Sequence, residues 1–447
     1  MDLLKDRIRP TYFRYLSAAF GSALISSIYS AVDMAMVGQY HGSDGTAALA
    51  VVAPLWNVLY SLGLLFGIGG SVLFSSIRGK DRDEESIRKS NVYFTVSFIG
   101  VVIFSLLNWL LLLFLEEPLL RLFGATDELM PLAKRYLYPV LFAVPSFLLT
   151  QFLAAYLRND SDPGLATFAV LFGGIFNVFG DYFFVFTLDM GIMGAGLATV
   201  VGSVLSLLLM LIHFLKKKNT LRFLRPSGFF SKSGEIISTG FSTFFVDVAM
   251  GILTILFNNQ ISRYLGKDAL SVYGVIINIS TFVQCCAYSV GQASQPIISV
   301  NYGANESGRI KEVLKYSLLT CLAFGVIWVT LCESIPNGLI YIFMNPNEEV
   351  LKIAPDIIRC YSISFILLPF NIFSTYYFQA LLKPKTAFIV SVSRGVLISG
   401  ALIFLLPLIS PSMIWFSMPI TELIVFLFAY FRLYRETRKL KSLPSEH

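Results

Sequence analysis

Residues 91–115 read NVYFTVSFIGVVIFSLLNWLLLLFL, 25 consecutive positions without a charge. A hydrocarbon core about 30 Å thick needs roughly 20 apolar residues of helix, so this stretch alone crosses it. An open strand would leave backbone N–H and C=O groups without partners in lipid, and a barrel strand needs only about 9–11 residues. The segment is therefore a membrane helix. Outward from it the pattern recurs, with apolar runs at about 12–37, 46–77, 91–115, 134–157, 165–188, 191–214, 235–261, 270–300, 312–334, 355–381, 386–408 and 411–432. An all-α polytopic membrane protein with 12 transmembrane helices is expected. Two of the runs exceed what the bilayer demands and should tilt or protrude. Of 447 residues, 55% are hydrophobic and 14% charged, with mean hydropathy +0.70. A soluble domain carries about 25% charged residues, so secreted, disordered and soluble-enzyme folds are excluded.

Placement of Lys and Arg orients the chain. With the N-terminus inside, 26 of the 34 basic residues fall on inside segments and seven outside, Arg394 lying within a span. Both termini are thus expected in the cytoplasm, in a multi-pass protein of the cell (inner) membrane. Cys285, Cys286, Cys321, Cys332 and Cys360 sit in apolar runs without zinc or disulfide spacing and read as small buried hydrophobes.

The two halves repeat at an offset of 224 residues: Gly67 with Gly291, Ser75 with Ser299, Gly79 with Gly303, Arg135 with Arg359, Pro145 with Pro369. Six spans per repeat give both copies the same topology, so they are parallel repeats about an axis along the membrane normal. Residues 1–214 form an N-lobe, 215–234 a basic cytoplasmic inter-lobe linker, 235–432 a C-lobe and 433–447 a basic cytoplasmic tail. Two six-helix lobes suit transport by alternating access.

Asp33, Asp181, Asp247, Arg394 and Glu422 fall within spans, where an ionisable group is a functional candidate. Asn177 and Asp181 share a helix face. Asp181 and Thr199 flank the turn around residues 189–191 symmetrically, which puts both roughly 13 Å below it. Asp33 lies about 9 Å below the outer end of the first span. Apart from Arg14, Lys134 and Arg135 at span ends, no Lys or Arg lies within a span of this half, so the two carboxylates, with an amide and a hydroxyl, need protons or a metal cation such as Na+. The competing reading is a pair of permanently protonated acids used for packing. In the second half, Arg394 and Glu422 come within one turn in depth and can form a structural ion pair. Asp247 has no evident partner and can face a substrate cavity, as can Glu422, Asn57, Gln151, Asn278, Gln284 and Gln292. Lipophilic cations would stack on cavity aromatics. No P-loop is present, so ATP does not drive the cycle, and no nucleotide, nucleic-acid or catalytic motif is found. His41, His213 and His447 do not read as catalytic.

These residues resemble the multidrug and toxic compound extrusion (MATE) family. Val32-Asp33-Met34-Ala35-Met36-Val37-Gly38 is similar to its first-helix motif. Leu157-Arg158-Asn159-Asp160-Ser161-Asp162-Pro163 resembles the loop after the fourth helix in the MepA-like prokaryotic branch, with Ser161 at a Gly position. Gln295-Pro296-Ile297-Ile298 with Asn301-Tyr302-Gly303-Ala304 resembles the end of the eighth helix there. The resemblance implies the MATE/MOP fold and an exporter of organic, often cationic, compounds coupled to H+ or Na+ entry. It implies a cation site at Asp33, Asn177, Asp181 and Thr199, with the Ala195 carbonyl as a further ligand. It implies no cofactor, and a monomer in the lipid bilayer is expected. A C-lobe ion site of the NorM-like branch is matched only at Asp247, because the tenth span lacks a central acid. The alternatives are a lipid-linked precursor flippase of the same superfamily, or a membrane channel or enzyme. A flippase should carry more cationic groups in its cavity than a single Arg, and an enzyme should show clustered catalytic groups.

Overall fold

The computed structural model describes residues 3–80, 83–344 and 346–439. Arg82, His447 and the end of the basic tail (440–447) lie outside the described residues. Among the described residues, eleven continuous helices are long and apolar enough to cross a membrane, and a bent pair makes a twelfth span. In chain order, spans 1 to 3 are Ile8–Gly42, Asp44–Lys80 and Glu84–Leu122. Span 4 is the pair Met130–Leu141 and Val144–Asn159, followed by Pro163–Thr187 and Ile192–Leu215 as spans 5 and 6. Spans 7 to 12 are Phe229–Tyr264, Gly266–Gly303, Ser307–Ser334, Glu348–Ala380, Pro384–Ile409 and Pro411–Lys439.

The helix ends follow local chemistry. Gly42, at φ 66°, separates spans 1 and 2, a backbone that a side chain would strain. Asp83 caps span 3 by accepting from the Ser86 amide at 2.9 Å. Proline stands at the first turn of spans 5, 11 and 12, where its missing N–H costs nothing. Leu106, Leu107, Leu110, Leu111, Leu113 and Phe114 of span 3 are exposed, as a lipid-facing stripe requires.

The fourth run, read as one continuous helix, is broken: its two pieces bend by 60°. Pro139 and Pro145 flank the break and remove backbone donors there. The tenth span is irregular only at Ile363, between Glu348–Ser362 and Ser364–Ala380, and runs on as one span. The repeat holds in packing. A Cβ on Gly67 would meet the Phe152 backbone at 3.0 Å, and one on Gly291 would meet the Tyr376 ring at 2.5 Å. Both contact partners are again 224 residues apart.

The chain divides into two compact units, one containing Gly21–Phe244 and the other containing Leu4–Phe20 with the chain from Phe245 onward. This border differs from the one placed at the 215–234 loop. That loop and the first half of span 7 belong to the first unit. A Cβ on Gly240 would collide with the Leu65 carbonyl oxygen, and one on Gly69 with the Ile236 carbonyl oxygen, so spans 2 and 7 touch backbone to backbone within that unit.

Candidate cation site and cavities

In the first unit, Asp33, Asn177 and Thr199 come from spans 1, 5 and 6 and meet through hydrogen bonds. The Thr199 hydroxyl lies 3.1 Å from Asp33 Oδ2 and 3.1 Å from the Ala195 carbonyl. With its amide turned to satisfy both ends, Asn177 donates to Asp33 Oδ1 at 3.2 Å and accepts from the Thr199 hydroxyl and amide at 3.1 and 3.2 Å. Asp181 stands one helical turn beyond Asn177 on span 5, within electrostatic reach of Asp33. Among the described residues, neither Asp181 oxygen has a hydrogen-bond donor. All five residues are buried, with Asp181 and Ala195 fully so. Thr199 has one proton to give and three oxygens to receive it. Two carboxyls, an amide oxygen, a hydroxyl and a carbonyl thus share few donors.

The helices bring these groups together by local irregularity. Just after Asp181, residues Phe183–Thr187 form a π-helical turn, a wide turn often found beside functional groups. Gly194 on span 6 makes room for it: a Cβ there would meet the Phe184 carbonyl carbon at 2.7 Å. Next to Asp33 and Thr199 opens a cavity of about 310 Å³. Its wall includes Trp56, Tyr60, Tyr136, Phe147, Asn57 and Gln151. The cavity belongs wholly to the first unit, and Asn57 and Gln151 line it.

In the second unit, Arg394 Nε donates to Glu422 Oε1 at 2.8 Å, and Asn371 donates to Glu422 Oε2 at 2.6 Å. Asp247 accepts from the Tyr288 hydroxyl at 2.7 Å through Oδ1, while its Oδ2 is buried without a partner among the described residues. A second cavity, about 40 Å³, includes Gln284 and Arg394 in its wall. Asp247, Glu422 and Gln292 line neither cavity. Asn278 is exposed and bonds to the Gly274 carbonyl of its own helix. Four of the five cysteines are buried and Cys360 is partly exposed.

One cluster escaped the sequence reading. His213, fully buried, places Nε2 2.7 Å from Asp160 and Nδ1 3.0 Å from Asp162. Lys216 and Lys218 reach Asp162 at 2.9 and 2.7 Å. Burial raises the Asp162 carboxyl, but hydrogen bonds from His213, Lys218 and Lys216 outweigh it and hold the group well below the ordinary carboxylate range. Asp160 also takes the Thr220 amide at 3.0 Å, while Asn91 and Thr95 accept from the amides of Arg222 and Leu224. The expected linker is therefore a strap laid along span 3. The signal was present in the two acids of 157–163 facing Lys216 and Lys218, but His213 at a helix end carried no spacing clue.

Among the described residues, no group of three or more His, Cys, Asp or Glu is placed to hold a metal. The MatE family profile matches residues 18–183 and 241–405, two segments whose starts lie close to the repeat offset. Multidrug export protein MepA of Staphylococcus saprophyticus is 25% identical over 416 residues, 92% of this chain and 90% of that protein. MepA of Staphylococcus aureus (strain MSSA476) is 23% identical over 403 residues, 89% and 87% of the two chains. The solved structure of the MATE multidrug transporter DinF-BH, determined as a complex, superposes with TM-score 0.88 at 26% identity, covering 98% of each chain. An outward-facing multidrug resistance MATE family transporter of the MOP superfamily superposes with TM-score 0.89 at 18% identity, covering 99% and 98%. The fold is the MOP fold, and the chain belongs to the MatE family, whose members are transporters and not enzymes.

Proposed function

We propose that this protein is a secondary active multidrug exporter of the cell membrane, exchanging H+ or Na+ for organic, often cationic, compounds. The export reading rests on the MepA relatives and the DinF-BH structure. One observation carries the coupling: Asp33 and Asp181 are buried together beside Asn177 and Thr199 with more acceptors than donors. An ion entering there is a transported substrate. It drives export if it binds the outward-open state more tightly than the inward-open state, and drug does the reverse. Asp33 and Asp181 hold the ion, Asn177 and Thr199 orient the carboxyls, and the Ala195 carbonyl lies close enough to Thr199 to complete an oxygen shell. Trp56, Tyr60, Tyr136 and Phe147 give the adjacent cavity flat apolar faces for an aromatic cation. The protein works as a monomer with both termini in the cytoplasm.

The test is transport in proteoliposomes with pH and Na+ gradients imposed separately. Asp33→Asn and Asp181→Asn are each expected to abolish gradient-driven efflux while leaving correctly folded protein in the membrane. Near-normal efflux by both variants overturns the coupling assignment.

A further inference from the structure

The buried Arg394–Glu422 pair of the second unit has no counterpart in the repeat. At the overall 224 offset Arg394 and Glu422 fall on the uncharged Val170 and Ala198. Counted instead from the helix starts, where the offset shortens, Arg394 stands as far beyond Pro384 at the start of span 11 as Gly173 stands beyond Pro163 at the start of span 5. Glu422 stands as far beyond Pro411 as Gly202 stands beyond Gly191. At that junction the first unit packs glycine on glycine: a Cβ on Gly173 would collide with the Gly202 carbonyl oxygen. The fold thus closes this junction without charge. A buried ion pair is on average no more stabilising than a well-packed apolar pair, so packing does not explain why the second unit has one.

Geometry suggests what does. Arg394 spends only Nε on Glu422, and its two Nη nitrogens have no acceptor among the described residues. Guanidinium carries five N–H donors, so four remain. Arg394 lines the 40 Å³ cavity, as do Gln284 and Ser280. Ser280 is 7% exposed, and its hydroxyl faces the cavity wall beside Tyr361. The space exceeds the roughly 10–15 Å³ that one water requires and suits a group of a few heavy atoms. Thr254, Tyr273 and Tyr361 complete the polar part of the wall, and no acid among the described residues lines it.

We propose that this cavity is a carboxylate subsite, in which Arg394 holds the carboxylate of an organic substrate and Ser280 and Gln284 add donors. The proposal rests on the exporter reading and extends its substrate class to zwitterions. Planar recognition of a carboxylate by guanidinium is its strongest polar contact.

The probe is a matched pair of xanthylium dyes, one with a free carboxylate and the other its ethyl ester, titrated by fluorescence polarisation against the purified protein. The wild type is expected to bind the acid about tenfold more tightly than the ester, the ratio worth one charge-assisted contact. Arg394→Gln with Glu422→Gln removes both charges together. It is expected to bring the ratio to about one with ester affinity unchanged. Should that variant not fold, Arg394→Lys keeps the Glu422 partner but loses the planar fork, and acid affinity alone is expected to fall. An unchanged acid-to-ester ratio in the folded variant overturns the proposal. Loss of the wild-type preference at physiological chloride, with the sulfonate isethionate inert, assigns the cavity to an inorganic anion and overturns the substrate assignment. Efflux of the ester dye tests the exporter reading separately, because the ester cannot use the subsite.

Discussion

Thr199 decides how the proposed cation site is wired, because one hydroxyl proton serves the Asp33 carboxyl, the Ala195 carbonyl and Asn177. Thr199→Val keeps the shape and removes the hydroxyl. It is expected to reduce gradient-driven efflux about tenfold, while Thr199→Ser retains most of it; initial rates in proteoliposomes check this. Arg394 offers a second test at the same scale. Arg394→Met alone leaves Glu422 as a buried unpaired charge and is expected to lower the melting temperature more than Arg394→Met with Glu422→Leu, measured by thermal shift in detergent. The Asp33, Asn177, Asp181 and Thr199 group was legible because helical spacing and hairpin symmetry fix depth within a membrane. The pair at 394 and 422 was legible for the same reason. His213 was not: its partners, Asp160 and Asp162, lie in a turn whose path periodicity does not specify.

Helices carry the next set of consequences. The existence and order of the spans followed from apolar run length, since the bilayer sets that length. The break in span 4 did not, because proline is common in membrane helices and a hydropathy run looks the same whether straight or bent. The π turn at Phe183–Thr187 is likewise invisible to a pattern of uniformly apolar residues. Spans 5 and 6 approach so closely at Gly173 and Gly202 that a methyl group has no room. Gly173→Ala is expected to reduce the yield of monodisperse protein severely, and size-exclusion chromatography of a fluorescent fusion would reveal it. The strap over 216–224 makes a pH prediction. A carboxyl held below its unfolded value stabilises the folded state above that value and loses the contribution as pH falls. Amide protection of 216–224 in hydrogen exchange is therefore expected to persist near neutrality and to fall below about pH 4. In Asp162→Asn it should be weak at every pH.

For the molecule as a whole, the repeat was readable from shared glycines and prolines because close packing admits few alternatives at those positions. The unit borders were not, because a loop's composition says nothing about which helices its neighbours touch. Residues 4–20 come early in the chain yet complete the later unit, while residues 229–244 come after the loop yet complete the earlier one. Severing the polypeptide at Gly228 would accordingly give two fragments, each harbouring a piece of the other's interior. Neither fragment expressed singly should survive quality control. Supplied together from separate transcripts they should reassemble, and a pull-down through a tag on one of them would show whether the two halves are obligate companions from biosynthesis onward.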